Sequence, residues 1–315
     1  MNLTQLSVFR EVMKTGSMSQ AAINLGRTQP AISLALKSLE SALGIVLFER
    51  DTRNLKPVPE AYYLLSEADS VLTRMAHLER TMQRMMAGGA GELHLAAMPG
   101  VATALFPEFL VGFTRDRPDV SLSLHSRSST QLRELVSSQG IDMGFGDYEE
   151  DHSRIVQTQV TVIAGNSFLA LPAAHPLARR DVVPLGALSG EVIGTMQPEH
   201  TFEKRRAAAF GEAGTDVRIR FRSQTVLPLL RFVSAGQCCA IVDPLTVASA
   251  GVLGLTADTI VFRKVETPVP YDYAVLVPVM RPLSALARQA ATAWEDHVIE
   301  LLDGLGAEPK RIALG

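Results

Sequence analysis

Gln29, Ser33, Lys37 and Ser41 stand four residues apart, so at about 100° per residue they share one helix face with Leu34. Short amide and hydroxyl side chains hydrogen-bond base edges. A lysine neutralises phosphate, and a leucine can rest on a thymine methyl. Together these groups could read a major groove. A second set of groups has different chemistry. Pro99-Gly100-Val101 with Thr103, Ser128-Ser129-Thr130, His200-Thr201 and Ser223-Gln224-Thr225 all follow apolar runs and open helical patterns. Hydroxyls and free amide N–H groups at helix starts bind carboxylates, and each hydroxyl alone would also serve as an N-cap. Asp147 and Asp243 follow apolar runs too. A carboxylate facing such a crevice takes an ammonium or guanidinium group. Asp147 is the better candidate, because Asp243 precedes a proline and fits a helix cap. No P-loop, nucleophile elbow, zinc-protease helix or glycine-rich dinucleotide turn is present, and the seven histidines lack ligand spacing. The chain is expected not to be an enzyme, with no cofactor and no metal.

The reading face needs a helix. Residues 28–43 supply one: Ile32, Leu36, Leu39 and Leu43 form its dry stripe. Thr28 is placed to cap it through its hydroxyl, and Pro30 falls in the first turn. Residues 3–14 form an earlier helix with Leu6, Phe9, Val12 and Met13 on one side. Gly16 breaks it, and a second helix with the small Ala21 and Ala22 leads to a Gly26-Arg27 turn. This is the helix-turn-helix plan. The stretch FREVMKTGSMSQAAINLGRTQPAISLALKSLESALGIVLFER resembles the N-terminal winged helix-turn-helix of LysR-type transcriptional regulators.

The resemblance implies DNA contact from Arg27, Thr28, Gln29, Pro30, Ser33, Leu34 and Lys37. It also implies a β-wing from 46–49 and 55–58 that carries Arg50, Arg53 and Lys56 to phosphates. Up to Val58 there are seven basic residues against four acidic, although the whole chain carries a net charge of −3. Local basicity is what phosphate contact requires. Two departures stand out. The run Leu55-Lys56-Pro57-Val58-Pro59-Glu60-Ala61 lacks the family's usual threonine before the proline and glycine after it. Leu34 stands where many members have a basic residue.

From 60 to 87 there is neither proline nor glycine. Leu64, Ala68, Val71, Met75, Leu78, Met82 and Met85 alternate at spacings of four and three, a heptad seam that seeks a partner helix. The resemblance implies a linker helix for dimerisation, followed by a hinge at Gly88-Gly89-Ala90-Gly91. Beyond it, short β-rich runs alternate with helical ones, which argues for parallel α/β units in two lobes. That arrangement is similar to the family's effector domain and to type 2 periplasmic binding proteins, with chain crossings expected near 159 and 267–270. AMPGVATALFPEFL, IVDP and RPLSALA resemble the branch controlling opine and amino-acid catabolism.

The expected organisation is a DNA-binding domain over 1–59 and a linker helix and hinge over 60–90. An α/β effector domain follows over 91–307, with lobe I at 91–158 and 269–307 and lobe II at 159–268. The implied partners are double-stranded promoter DNA, a small amino-acid-like or other carboxylate effector, RNA polymerase and further copies in a homodimer or homotetramer. Met1 leads directly into an amphipathic pattern, and no apolar run is long enough for a bilayer. The adjacent Cys238 and Cys239 cannot close an ordinary disulfide loop, which fits small buried strand residues in a reducing compartment. The expected location is the bacterial cytoplasm, at the nucleoid. The N-terminal head argues against a periplasmic solute receptor.

Overall fold

The computed structural model describes residues 1–50, 55–148 and 158–314. It divides into two compact units, Met1–Arg84 and Met85–Gly315.

In the first unit, α1 (Leu3–Thr15) starts on a capping box: Asn2 accepts from the Gln5 amide while the Gln5 side chain accepts from that of Asn2. Helix α2 (Met18–Asn24) is capped by Ser17, and α3 (Gln29–Leu43) ends at Gly44, whose φ of 72° is natural for glycine. Phe9, Val12, Ala21, Ala22, Ile32, Leu36 and Leu39 bury together as their spacing predicts. Thr28 stands at the N-cap position with extended backbone, but its hydroxyl makes no cap hydrogen bond. A cap bonds the second or third helical amide, and the second position is Pro30, which has none. The wing pairs β1 (Phe48–Arg50) with β2 (Leu55–Pro57) antiparallel, shorter than the runs the sequence predicts.

Helix α4 (Pro59–Met86) is the long linker helix. Its seam is divided. Leu64 packs on the unit's own core, and Ala68, 1% exposed, is buried in it, so Ala68 offers no surface to a second chain. Val71, Met75, Leu78, Met82 and Met85 are exposed apolar side chains.

In the second unit, lobe I is a six-stranded sheet in the order β14-β6-β13-β5-β3-β4. Its strands are β3 (Ala90–Ala97), β4 (Asp119–Ser126), β5 (Met143–Asp147), β6 (Thr158–Asn166), β13 (Pro270–Pro278) and β14 (Lys310–Leu314). Strand β3 runs parallel to β4 and β5, whereas β13 and β14 return antiparallel. The sheet is mixed, not purely parallel. Helices α5 (Pro99–Thr103), α6 (Leu105–Thr114), α7 (Ser129–Ser137) and α11 (Ala285–Gly304) complete the lobe. Trp294, fully buried, packs with Phe106 and Phe145 at ring distances of 4.4 and 5.2 Å.

Lobe II holds β7 (Phe168–Pro172), β8 (Val182–Val183), β11 (Ala240–Val242) and β12 (Ile260–Val265) in the order β11-β7-β12-β8. A parallel pair of β9 (Val192–Met196) with β10 (Arg218–Ser223) joins them through the Ile193–Cys239 bridge. Its helices are α8 (Thr201–Glu212), α9 (Leu229–Ser234) and α10 (Pro244–Ala248).

Three boundaries move. Strand β6 belongs to lobe I, so the first crossing falls between 166 and 168. Strand β14 extends the domain beyond 307. Ala90 and Gly91 already pair with Asp119 and Val120. A Cβ on Gly88 would lie 2.9 Å from the Gln289 side chain, which also donates to Ala87 O. The second half of the glycine run is therefore strand entry.

Candidate functional site

On the head, Arg27, Thr28, Gln29, Pro30, Leu34 and Lys37 are exposed and Ser33 is partly so, while Ile32, Leu36 and Leu39 hold the opposite face in the core. Leu34 is 70% exposed. The Glu40 carboxylate accepts from the Leu47 amide at 2.8 Å, which ties the end of α3 to the start of the wing. Lys56 is exposed on β2. Arg53 and the Arg50 side chain lie outside the described residues.

The second site is a cavity of about 270 Å³ between the lobes. Strands β3, β5, β9 and β11 end at it, and helices α5, α7, α8 and α10 begin there. This is the position that open α/β sheets give to ligands. Ser128 caps α7 in a capping box with Gln131, His200 caps α8 through Nδ1, and Asp243 caps α10. Behind α8, Arg206 donates to both Glu203 oxygens at 2.7 Å, and the Thr195 hydroxyl bonds the same carboxylate. This buried pair locks α8 onto β9.

Of the residues expected at the effector site, Pro99, Gly100, Val101, Ser128, Ser129, Asp147, His200 and Thr225 line the cavity. Thr103, Thr201 and Ser223 do not. Thr103 sits at the far end of α5, exposed, with its hydroxyl on the Pro99 carbonyl. Ser223 is the last residue of β10, and the turn beyond it presents Gln224 and Thr225 instead. Thr201 is the first residue of α8, and its neighbour His200 takes the place at the cavity. Tyr271, Gln197, Glu199 and Thr246 also line it. The sequence gives little sign of Tyr271, which arrives on β13 from 124 residues beyond Asp147.

Asp147 is the hub. It accepts from Ser129 Oγ at 2.8 Å and from the Tyr271 hydroxyl, and His200 Nε2 lies 3.3 Å away. Burial raises its pKa, but His200, Tyr271 and Ser129 together more than offset that and hold it below the ordinary 3.8. Asp243 is the opposite case. Burial dominates and raises its pKa, despite bonds from the Thr246 side chain, the Tyr273 hydroxyl and the Thr246 amide; the charge of Asp147 adds to the rise. Tyr271 and Tyr273, two apart on β13, thus serve one carboxylate each. Among the described residues lining the cavity, three are carboxylic (Asp147, Glu199, Asp243) and none is Lys or Arg.

His175, Glu191 and Cys239 bring ligand atoms within 4.8 Å of one another elsewhere in lobe II. His175 Nδ1 accepts from the Leu177 amide, so Nε2 carries the proton toward Glu191. Burial pushes the Cys238 and Cys239 thiols up to about 11 and about 12. This arrangement is a His175–Glu191 polar contact beside inert thiols.

A winged helix-turn-helix head and a two-lobed α/β domain with a cavity between its lobes define the plan of a DNA-binding regulator. The bacterial regulatory helix-turn-helix pattern of the lysR family matches residues 3–61, and the LysR substrate binding domain matches 87–298. The chain belongs to the LysR family of DNA-binding transcriptional regulators. Regulatory protein NocR of Agrobacterium tumefaciens (strain T37) is 31% identical over 305 residues, 97% of each chain. The octopine catabolism/uptake operon regulatory protein OccR of Rhizobium meliloti is 33% identical over 246 residues, 78% of this chain and 80% of that one. Among solved structures, CbnR, a LysR family transcriptional regulator, is 22% identical with a TM-score of 0.76, covering 93% of this chain and 99% of its own. It shares the fold.

Proposed function

We propose that this regulator binds promoter DNA through the exposed face of α3 and the basic residues of the wing, and that a small amino-acid-like ligand, a carboxylate bearing a cationic nitrogen, switches its output from the interlobe cavity. Gln29 and Ser33 read base edges, Lys37 and Lys56 meet phosphates, and Leu34 rests on a thymine methyl. The observation that carries the ligand assignment is the composition of the cavity. Hydroxyls and helix N-termini suit a carboxylate, while Asp147 and Glu199, with no Lys or Arg among the described lining residues, suit a cationic nitrogen. The octopine-related name of one relative supports the same class of nitrogen-bearing acid.

Val71, Met75, Leu78, Met82 and Met85 pair α4 with a second chain and set two heads on neighbouring half-sites, in a homodimer that doubles to a homotetramer. Ligand binding resets the subunits, and with them head spacing, DNA bend and contact with RNA polymerase. A thermal-shift screen of amino acids, opines and nitrogen-free carboxylates, repeated with the upstream DNA present, tests this reading. A specific ligand raises Tm by mass action. Stabilisation by nitrogen-free acids alone contradicts the assignment.

A further inference from the structure

Helix α8 of lobe II carries three contacts to lobe I within six residues. His200 Nε2 lies 3.3 Å from Asp147 Oδ2, the Phe202 ring lies 4.7 Å from that of Tyr271, and Arg205 Nη1 lies 2.7 Å from Asp272 Oδ2. His200 Nδ1 accepts the Phe202 amide at 3.2 Å, so the ring proton sits on Nε2 and is donated to Asp147. Asp147 therefore holds three donors: Ser129 and His200 on Oδ2 and Tyr271 on Oδ1. A carboxylate has about four acceptor sites. The fork of a guanidinium needs one on each oxygen, and Oδ2 has none left.

We propose that the His200 imidazole is a built-in occupant of the ligand's cation seat: it latches the lobes together through Asp147, and a guanidinium enters by displacing it. The inference rests on the cavity being the effector site. The latch joins an imidazole N–H to a carboxylate across a cleft that His200 and Asp147, 16% and 12% exposed, largely shield from water. A guanidinium in the same place bonds both carboxylate oxygens where His200 reaches one, and its entry frees α8 from Asp147.

The test uses the full chain and the variants His200→Asn, Asp147→Asn and the double. Asparagine keeps an N-cap acceptor for the Phe202 amide, but it is too short for the carboxylate, so it separates capping from latching. Hydrogen exchange of ligand-free protein is read at 270–273 and 200–206. We expect each single variant to raise exchange by about tenfold and the double to do no more, the signature of one shared interaction. Additive effects, or wild-type exchange in His200→Asn, overturn the latch. Calorimetry with L-arginine as probe reads the displacement: tighter binding to His200→Asn than to wild type supports it, and equal, weaker or absent binding overturns it. Anisotropy with the upstream DNA, run on the same samples, keeps the two readings apart. DNA binding lost in the wild type removes the regulator mechanism, whereas additivity in the exchange data removes only the latch.

Discussion

Asp147 and Asp243 show how one side-chain type takes opposite roles in the wall of one cavity. Asp147, held below 3.8, contributes stability above that value and loses it as pH falls through the depressed folded pKa. Asp243, held above 3.8, binds its proton more tightly folded than unfolded, so its effect is a penalty that grows as pH rises from 3.8 through the folded pKa. Asp147→Asn is expected to cost about 2 kcal/mol at neutral pH, because it weakens hydrogen bonds to a charged acceptor. Asp243→Asn is expected to be near neutral there, and to flatten the decline in stability with rising pH. Urea unfolding of both variants from about pH 2 to 8, a range that spans the acid loss at Asp147 and the rise at Asp243, checks the pair. On the head, Leu34→Arg exchanges apolar contact for guanine readout. Binding to operator variants should then shift preference from thymine to guanine at one position per half-site, and an unchanged preference sinks the methyl contact.

At the scale of elements, the helix-turn-helix was legible because local rules set it. Glycines at 16, 26 and 44 take positive φ, and one apolar stripe per helix finds one core. The break between α5 and α6 was not. Pro107 lacks the amide that would reach the Thr103 carbonyl, and the chain turns at Ala104 into two helices. Strand β14 was missed because its pairing lies in β6, far off in sequence. The linker seam was legible as a period but not as a destination, since Ala68 and Val71 share the stripe while facing a private core and solvent respectively. Leu78→Lys with Met82→Lys is expected to shift association by at least tenfold in sedimentation while leaving helical circular dichroism unchanged. Ala68→Leu should do the reverse, destabilising the head by about 1–3 kcal/mol through overpacking. Gly146→Ala puts a Cβ 2.7 Å from Leu132 and 3.0 Å from Ser129 Oγ. It should cost about 1–3 kcal/mol and push from Asp147 the serine that orients it.

At the scale of the molecule, the cavity corners were legible because strand ends and helix starts follow from local pattern, and eight of the expected residues meet there. What was hidden came from distance along the chain. Tyr271 and Tyr273 reach the two aspartates on a strand that crosses back into lobe I after lobe II is complete. The proposed coupling must be reciprocal by linkage: operator DNA is expected to change ligand affinity by the factor by which ligand changes DNA affinity. The most direct measurement is calorimetric titration of the full chain with octopine, L-arginine and benzoate, in wild type, Asp147→Asn and Lys37→Ala. The account predicts that a nitrogen-bearing acid binds, that Asp147→Asn weakens it by about tenfold or more, and that Lys37→Ala leaves it unchanged. Binding of benzoate alone, or undiminished binding of the nitrogen-bearing acid to Asp147→Asn, would contradict it.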